Sequence, residues 1–326
     1  MRIRKSFAVI SVGLLTLSGC SFGLPEEAPT QQQQQQAPSA PPLPSRAPSA
    51  QPTHAPAPGP GDGAGGGGVA YEEPVEDLPD SARINGTGGA PDPASATAFL
   101  EAVVLDADKV WTKWMTQQGY AEPFVDYVII QPGTSYEAPE KCALPQPPHG
   151  VVSNVYQSTF PNTFYCDVPT SSGTKGLLLL PLQTYIDMWS GKILGSFTDA
   201  DATVGDFAAA AVVAHEFGHH VSQEMAAQMS FPIPADKNKE LLADCFSGVW
   251  SHTLYQAGGL ETGDVDEAMS ALRAIGDDGT GSDPHGTPEE RERAFRVGVA
   301  GLDTDPRGGV PGLCINEFWA GYPGPR

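Results

Sequence analysis

The chain has 326 residues with 18 basic and 39 acidic side chains, a formal net charge of −21. A surface this rich in carboxylates repels a phosphate backbone, which excludes a nucleic-acid partner, and the charge reads as a solvated acidic surface.

The first twenty residues run M-R-I-R-K-S-F-A-V-I-S-V-G-L-L-T-L-S-G-C. Arg2, Arg4 and Lys5 precede an apolar run from Phe7 to Leu17. That run is shorter than the roughly 20 residues a bilayer span needs and suits the core of an export signal. It ends in Leu17, Ser18, Gly19 and Cys20, which resembles the lipobox of bacterial lipoproteins. The resemblance implies a signal peptide over residues 1–19, cleavage before Cys20, and lipidation of its thiol. The protein would then be held on the extracytoplasmic face of the cell membrane by its lipid. Without the three basic residues of the signal, 15 basic side chains face 39 acidic ones, a net charge of −24.

From Pro25 to Ala70 the chain carries six consecutive glutamines (Gln31 to Gln36), repeated Ala-Pro and Pro-Ser pairs, and Gly65 to Gly68. Such a stretch buries too little apolar surface to offset the entropy of ordering. Residues 20–84 therefore read as a disordered Gln/Pro/Gly-rich tether, and residues 85–326 as one folded domain.

Within that domain, Phe99, Val103, Ala107, Val110, Trp111 and Trp114 recur every three or four residues, which predicts an amphipathic helix over Ala94 to Gln118. Short β-type runs follow at Phe124 to Gln131, Val151 to Ser158, Thr163 to Cys166 and Leu177 to Leu180. Helical patterns then take over at Asp206 to Met229, Lys239 to Gln256, Val265 to Ile275 and Pro288 to Val299. The last has a marked start: Thr287 can cap, Pro288 suits the first helical position, and Glu290 completes a T-x-x-E capping box. A few strands followed by several helices give an α+β fold, mainly helical with a small sheet.

With Cys20 assigned to lipid, Cys142, Cys166, Cys245 and Cys314 remain. An even number in an exported protein suggests two disulfides, and pairing Cys142 with Cys166 and Cys245 with Cys314 keeps each bond within one region of the chain. Zinc held by the four thiols is the weaker reading, because no C-x-x-C spacing occurs.

The chemistry concentrates in A-H-E-F-G-H-H-V. His215, Glu216 and His219 spell H-E-x-x-H, and on a helix residues four apart share a face, so both imidazoles can meet one ion. Glu216, turned by about a quarter of a circle from His215, can reach water at that ion without being a ligand. Ser222 and Met225 exclude the extended metzincin pattern, so the third ligand lies elsewhere. In N-K-E-L-L-A-D-C-F-S-G-V-W, Glu240 can complete a His, His, Glu set, while Asp244 one turn on can take the hydrogen bond of a ligand histidine and fix its tautomer. His220 turns away from the ligand face and reads as a core histidine or one just behind the ligands.

H-E-F-G-H-H-V, E-L-L-A-D-C-F-S-G-V-W, A-I-G-D-D and H-G-T-P-E-E-R-E-R-A-F occur in that order, with F-Y-C at Phe164 to Cys166 upstream. Together they resemble the bacterial putative neutral zinc metallopeptidase family, over roughly Phe99 to Cys314, and the E-x-x-x-D element is similar to that of gluzincins. The resemblance implies a zincin fold, Zn2+ on His215, His219 and Glu240, and Glu216 as general base. Two features depart from the family: the long tether, and Phe217 where a smaller aliphatic residue is common.

The expected reaction is hydrolysis of peptide bonds in a protein or peptide substrate outside the cytoplasm. His285, just before the capped helix, is the candidate to face the oxyanion or to close the open zinc position reversibly. Arg291, two turns on, is placed to hold or replace it. The alternative is a catalytically inactive binding lipoprotein that keeps zinc to hold its helices together; a fourth permanent protein ligand would mark it.

Overall fold

Asp92 opens the first helix, α1 (Pro93–Gln117): its carboxylate accepts the N–H groups of Ala94 (2.9 Å) and Ser95 (3.2 Å), and Pro93 sits where no helical N–H is needed. The structure is a computed structural model and describes residues 91–146, 150–168, 176–193, 196–197, 205–277, 284–299 and 310–324. The expected signal peptide, Cys20 and the tether 20–84 lie outside the described residues. No helix among the described residues is long and apolar enough to cross a membrane.

After α1 come β1 (Asp126–Ile130), β2 (Ser135–Glu137), β3 (Leu144–Gln146), β4 (Val151–Ser153), β5 (Val155–Gln157), β6 (Phe164–Cys166) and β7 (Leu177–Pro181). The main sheet has the order β1-β7-β6, with β1 parallel and β6 antiparallel to β7. Leu177, Leu178, Leu179 and Leu180 are all buried, so β7 is the covered centre and reads as an unbroken apolar run rather than an alternating one. β2 pairs with β5 and β3 with β4 as two small antiparallel ladders. The Cys142–Cys166 disulfide joins the segment before β3 to β6.

Among the described residues there follow α2 (Leu182–Trp189), a short β8–β9 pair (Lys192–Ile193, Ser196–Phe197), α3 (Asp206–Met229), α4 (Asn238–Gln256), α5 (Asp264–Ala274), α6 (Pro288–Val299) and α7 (Pro311–Phe318). The expected α+β class holds. β2, β3, α2, β8, β9 and α7 were not legible from periodicity, because each is eight residues or fewer and shows too few turns or alternations to establish a period.

α3 is the central helix. It packs against α1, α2, α4, α5, β6 and β7, and its buried alanines, Ala208 to Ala211, allow that crowding. Glycines bring the neighbouring helices close. A Cβ at Gly218 would lie 2.9 Å from the Ala243 carbonyl oxygen, and one at Gly248 2.2 Å from that of Phe295, so α3, α4 and α6 approach nearly backbone to backbone. At the start of α6 the capping box forms as expected: Glu290 N–H donates to Thr287 Oγ1 (3.3 Å) and Thr287 N–H to Glu290 Oε2 (3.1 Å).

The second expected disulfide, Cys245–Cys314, is also formed and joins α4 to α7 across 69 residues. In the chain-entropy account a loop of that length is worth about 4 kcal/mol. Cys314→Ser should therefore lower the urea unfolding free energy by roughly that amount; an unchanged midpoint would show that α7 stays docked without the bond.

At the N-terminal end of α3, Asp206, Asp264 and Glu267 converge. Glu267 Oε2 accepts Phe207 N–H (3.1 Å), which anchors a helix start that has no side-chain cap of its own. Burial, then Asp264 and Glu267, push the Asp206 carboxyl up to about 7, and burial pushes Asp264 up to about 6. Because these folded-state values lie above the ordinary 3.8, their contribution to stability is fully present below that pH. It is lost as pH rises through 6 to 7. Asp206→Asn should accordingly stabilise the fold more at pH 8 than at pH 5, read as the shift of the urea midpoint at each; equal shifts would count against the cluster.

Candidate metal centre

The H-E-x-x-H residues sit in the middle of α3, and Glu240 and Asp244 lie one turn apart on α4. The close passage of α4 over Gly218 brings the two helices' polar groups together. His215 Nε2 and His219 Nε2 are 3.1 Å apart, and Glu240 Oε2 lies 3.3 Å from the first and 3.4 Å from the second. A tetrahedral zinc with arms of about 2.0–2.1 Å has donor-to-donor edges of about 3.3–3.4 Å, so the triangle formed by these three atoms fits that ion.

The electrostatics fit as well. Burial opposes a charge on His215, but Asp244 and Glu240 outweigh it and push the imidazole up to about 9. Burial likewise works against an ionised Glu240, yet His219 and His215 hold its carboxyl far below the usual range. The three donors are thus arranged around one positive charge, which a divalent cation could supply in place of a proton.

Behind them, His215 Nδ1 lies 2.7 Å from Asp244 Oδ1. With that nitrogen as the donor, the lone pair falls on Nε2, facing His219 and Glu240. Asp244 is completely buried; burial raises its carboxyl, and Arg291 and His215 more than reverse this and hold it low. Arg291, buried at the start of α6, donates from Nε to Asp244 Oδ2 (2.9 Å) and from Nη2 to Asp244 Oδ1 (2.8 Å). The sequence placed Arg291 with His285. Instead it grips the carboxylate that orients His215, because the glycine contacts of α4 and α6 bring position 291 directly over position 244.

Glu216 is buried beside the triangle, and burial raises its pKa. Its Oε2 accepts the main-chain N–H of Tyr165 in β6 (2.7 Å). His220, one turn of α3 beyond Glu216, is fully buried against Phe217 and Tyr165. His285 is half exposed, and its main-chain N–H donates to Asp277 Oδ2 (2.8 Å), with Nδ1 3.2 Å from the same oxygen.

His215, Glu216, His219, Glu240 and Arg291 line one cleft of 620 Å³. Met188, Thr184 and Val212 line it, as do Gln223 and Lys239; Asp277 and His285 complete its wall. Sequence reasoning missed three contributions: the Tyr165 amide, the Arg291 grip on Asp244, and Asp277. The first is a main-chain group with no residue-type signature, and the other two depend on loops and helix contacts far apart in sequence.

Two histidines one turn apart, a glutamate on the following helix and a carboxylate beside them form a site of the zincin type, on an α+β scaffold. Residues 170–299 match the sequence pattern of the family described as "Putative neutral zinc metallopeptidase", and this stretch contains His215, Glu216, His219, Glu240, Asp244 and Arg291. Among curated proteins, the uncharacterized protein YpfJ of Escherichia coli is 35% identical over 156 residues, covering 41% of this chain and 49% of that one. The uncharacterized protein Rv2575 of Mycobacterium tuberculosis is 28% identical over 222 residues, 60% of this chain and 71% of that one. The chain thus spans about half the length of the first of these relatives. No solved structure matches it.

Proposed function

We propose that the chain is a zinc metallopeptidase that hydrolyses peptide bonds in proteins or peptides outside the cytoplasm, tethered to the cell membrane through lipid on Cys20. The observation that carries the catalytic part is the triangle of His215 Nε2, His219 Nε2 and Glu240 Oε2 with edges of 3.1–3.4 Å and Glu216 beside it. The anchoring part rests on the lipobox-like sequence alone.

At this site a bound zinc would supply Lewis acidity, which lowers the pKa of water to about 7 and polarises a carbonyl. His215, His219 and Glu240 would hold the ion, and Asp244, itself gripped by Arg291, keeps the His215 ring in one orientation. Glu216 takes the proton from the attacking water and passes it to the leaving amine. Burial favours this role by raising the carboxyl's affinity for a proton. His285, set against Asp277 on the cleft wall, is the candidate to face the developing oxyanion.

The converging group has three members among the described residues, which favours a site with an open position over the closed four-ligand kind used to hold a fold together. The test uses the purified full chain: zinc content by atomic absorption, and hydrolysis of a mixed peptide library before and after a chelator. One zinc per chain, with hydrolysis lost on chelation and restored by Zn2+, is the expected result. A zinc-loaded chain that cleaves nothing would favour the inactive binding lipoprotein.

A further inference from the structure

Among the described residues β6 is an edge strand of the main sheet, paired with β7 alone. Tyr165 lies opposite Leu178 in that ladder, yet its N–H is directed to Glu216 Oε2 at 2.7 Å. The Tyr165 side chain fixes the position of this donor. Its ring covers Gly176, where an added Cβ would come within 2.3 Å of it, and packs against the His220 ring at 5.4 Å. The hydroxyl donates to Asp167 Oδ1 at 3.4 Å and lies 3.5 Å from His220 Nδ1. His220 follows Glu216 by one turn of α3. Tyr165 therefore holds α3 at two successive turns, by its main chain at position 216 and by its ring at position 220.

A carboxylate with one oxygen on a fixed amide donor loses its freedom to rotate, and the terminal torsion of a glutamate is otherwise broad. We infer that Tyr165 is the positioning residue of the general base: its main-chain N–H fixes Oε2 of Glu216, leaving Oε1 as the oxygen that meets water. The catalytic consequence rests on the proposed peptidase reading, whereas the hydrogen bond itself does not. A hold of this kind acts on the chemical step. Misplacing a catalytic group by about 1 Å can cost on the order of 10²-fold in rate with little change in substrate binding.

Two measurements on the full chain test this. In protein labelled with ¹⁵N-tyrosine, with the Tyr165 signal assigned by its loss in Tyr165→Phe, the amide should exchange slowly with solvent. Glu216→Ala, which removes the acceptor, should speed that exchange at least tenfold; equal exchange in the two proteins overturns the inference. Tyr165→Pro removes the N–H while leaving the β7 ladder its own donors, as proline is tolerated on an edge strand. Its zinc content should match the wild type, its kcat should fall by about 10²-fold, and its KM should change little. A kcat equal to the wild type would overturn the positioning role. Wild-type protein inactive on every peptide would overturn the proposed reaction instead, and the exchange comparison would still decide whether Tyr165 holds Glu216.

Discussion

Replacing Glu216 with glutamine is expected to leave zinc bound and to lower peptide hydrolysis by about 10²- to 10⁴-fold, the usual worth of a positioned general base. The side chain lies beside the triangle of His215, His219 and Glu240 without belonging to it, so removing its charge takes away the proton acceptor and spares the donors. The amide oxygen of glutamine can still accept the Tyr165 N–H, which keeps the local geometry and makes the variant a clean test. Steady-state kinetics on a peptide cleaved by the wild type, with zinc measured in the same samples, gives the answer. Activity within a factor of two of the wild type would remove Glu216 from the reaction. Loss of zinc together with activity would instead make it a ligand.

Removing Arg291 should have the largest effect on stability. The residue is 1% exposed, and the Asp244 carboxylate it grips at 2.8 and 2.9 Å is completely buried. Arg291→Leu leaves that carboxylate without its cation, and breaking a buried pair in this way typically costs about 3–5 kcal/mol. The loss should be greatest with a chelator present, because zinc on His215 returns some positive charge to the neighbourhood. Asp244→Ala removes the group that orients His215 and should weaken zinc by roughly 10- to 100-fold. Urea unfolding with and without chelator, and zinc competition against a coloured chelator, read the two effects separately. Unfolding midpoints for Arg291→Leu equal to the wild type in both conditions would mean that the grip carries no net stability.

The candidate metal centre was largely legible in the sequence because its grammar is local. His215 and His219 share a helix face by spacing alone, and Glu240 and Asp244 do the same one helix later, so each pair could be recognised without knowing how the helices pack. The capping box at Thr287 and Glu290 and the unbroken leucines of β7 were legible for the same reason. The two disulfides followed from counting cysteines and preferring short closures. The relations between the pairs were not legible.

What the sequence by itself determined about this protein is therefore the identity of the donors and the elements that carry them: helical period, cap chemistry and residue type act within a few residues and leave their mark on the order of the chain. Only the tertiary structure decided that Arg291 belongs to Asp244 rather than His285, that His285 is set on Asp277, and that a main-chain amide of β6 holds Glu216. Those contacts join residues 8 to 51 positions apart. Their partners are chosen by how closely α4 passes Gly218 and α6 passes Gly248, and by which edge of the sheet faces α3. Backbone approach and strand register are properties of the packed whole, set by many weak contacts at once, and no single residue type announces them.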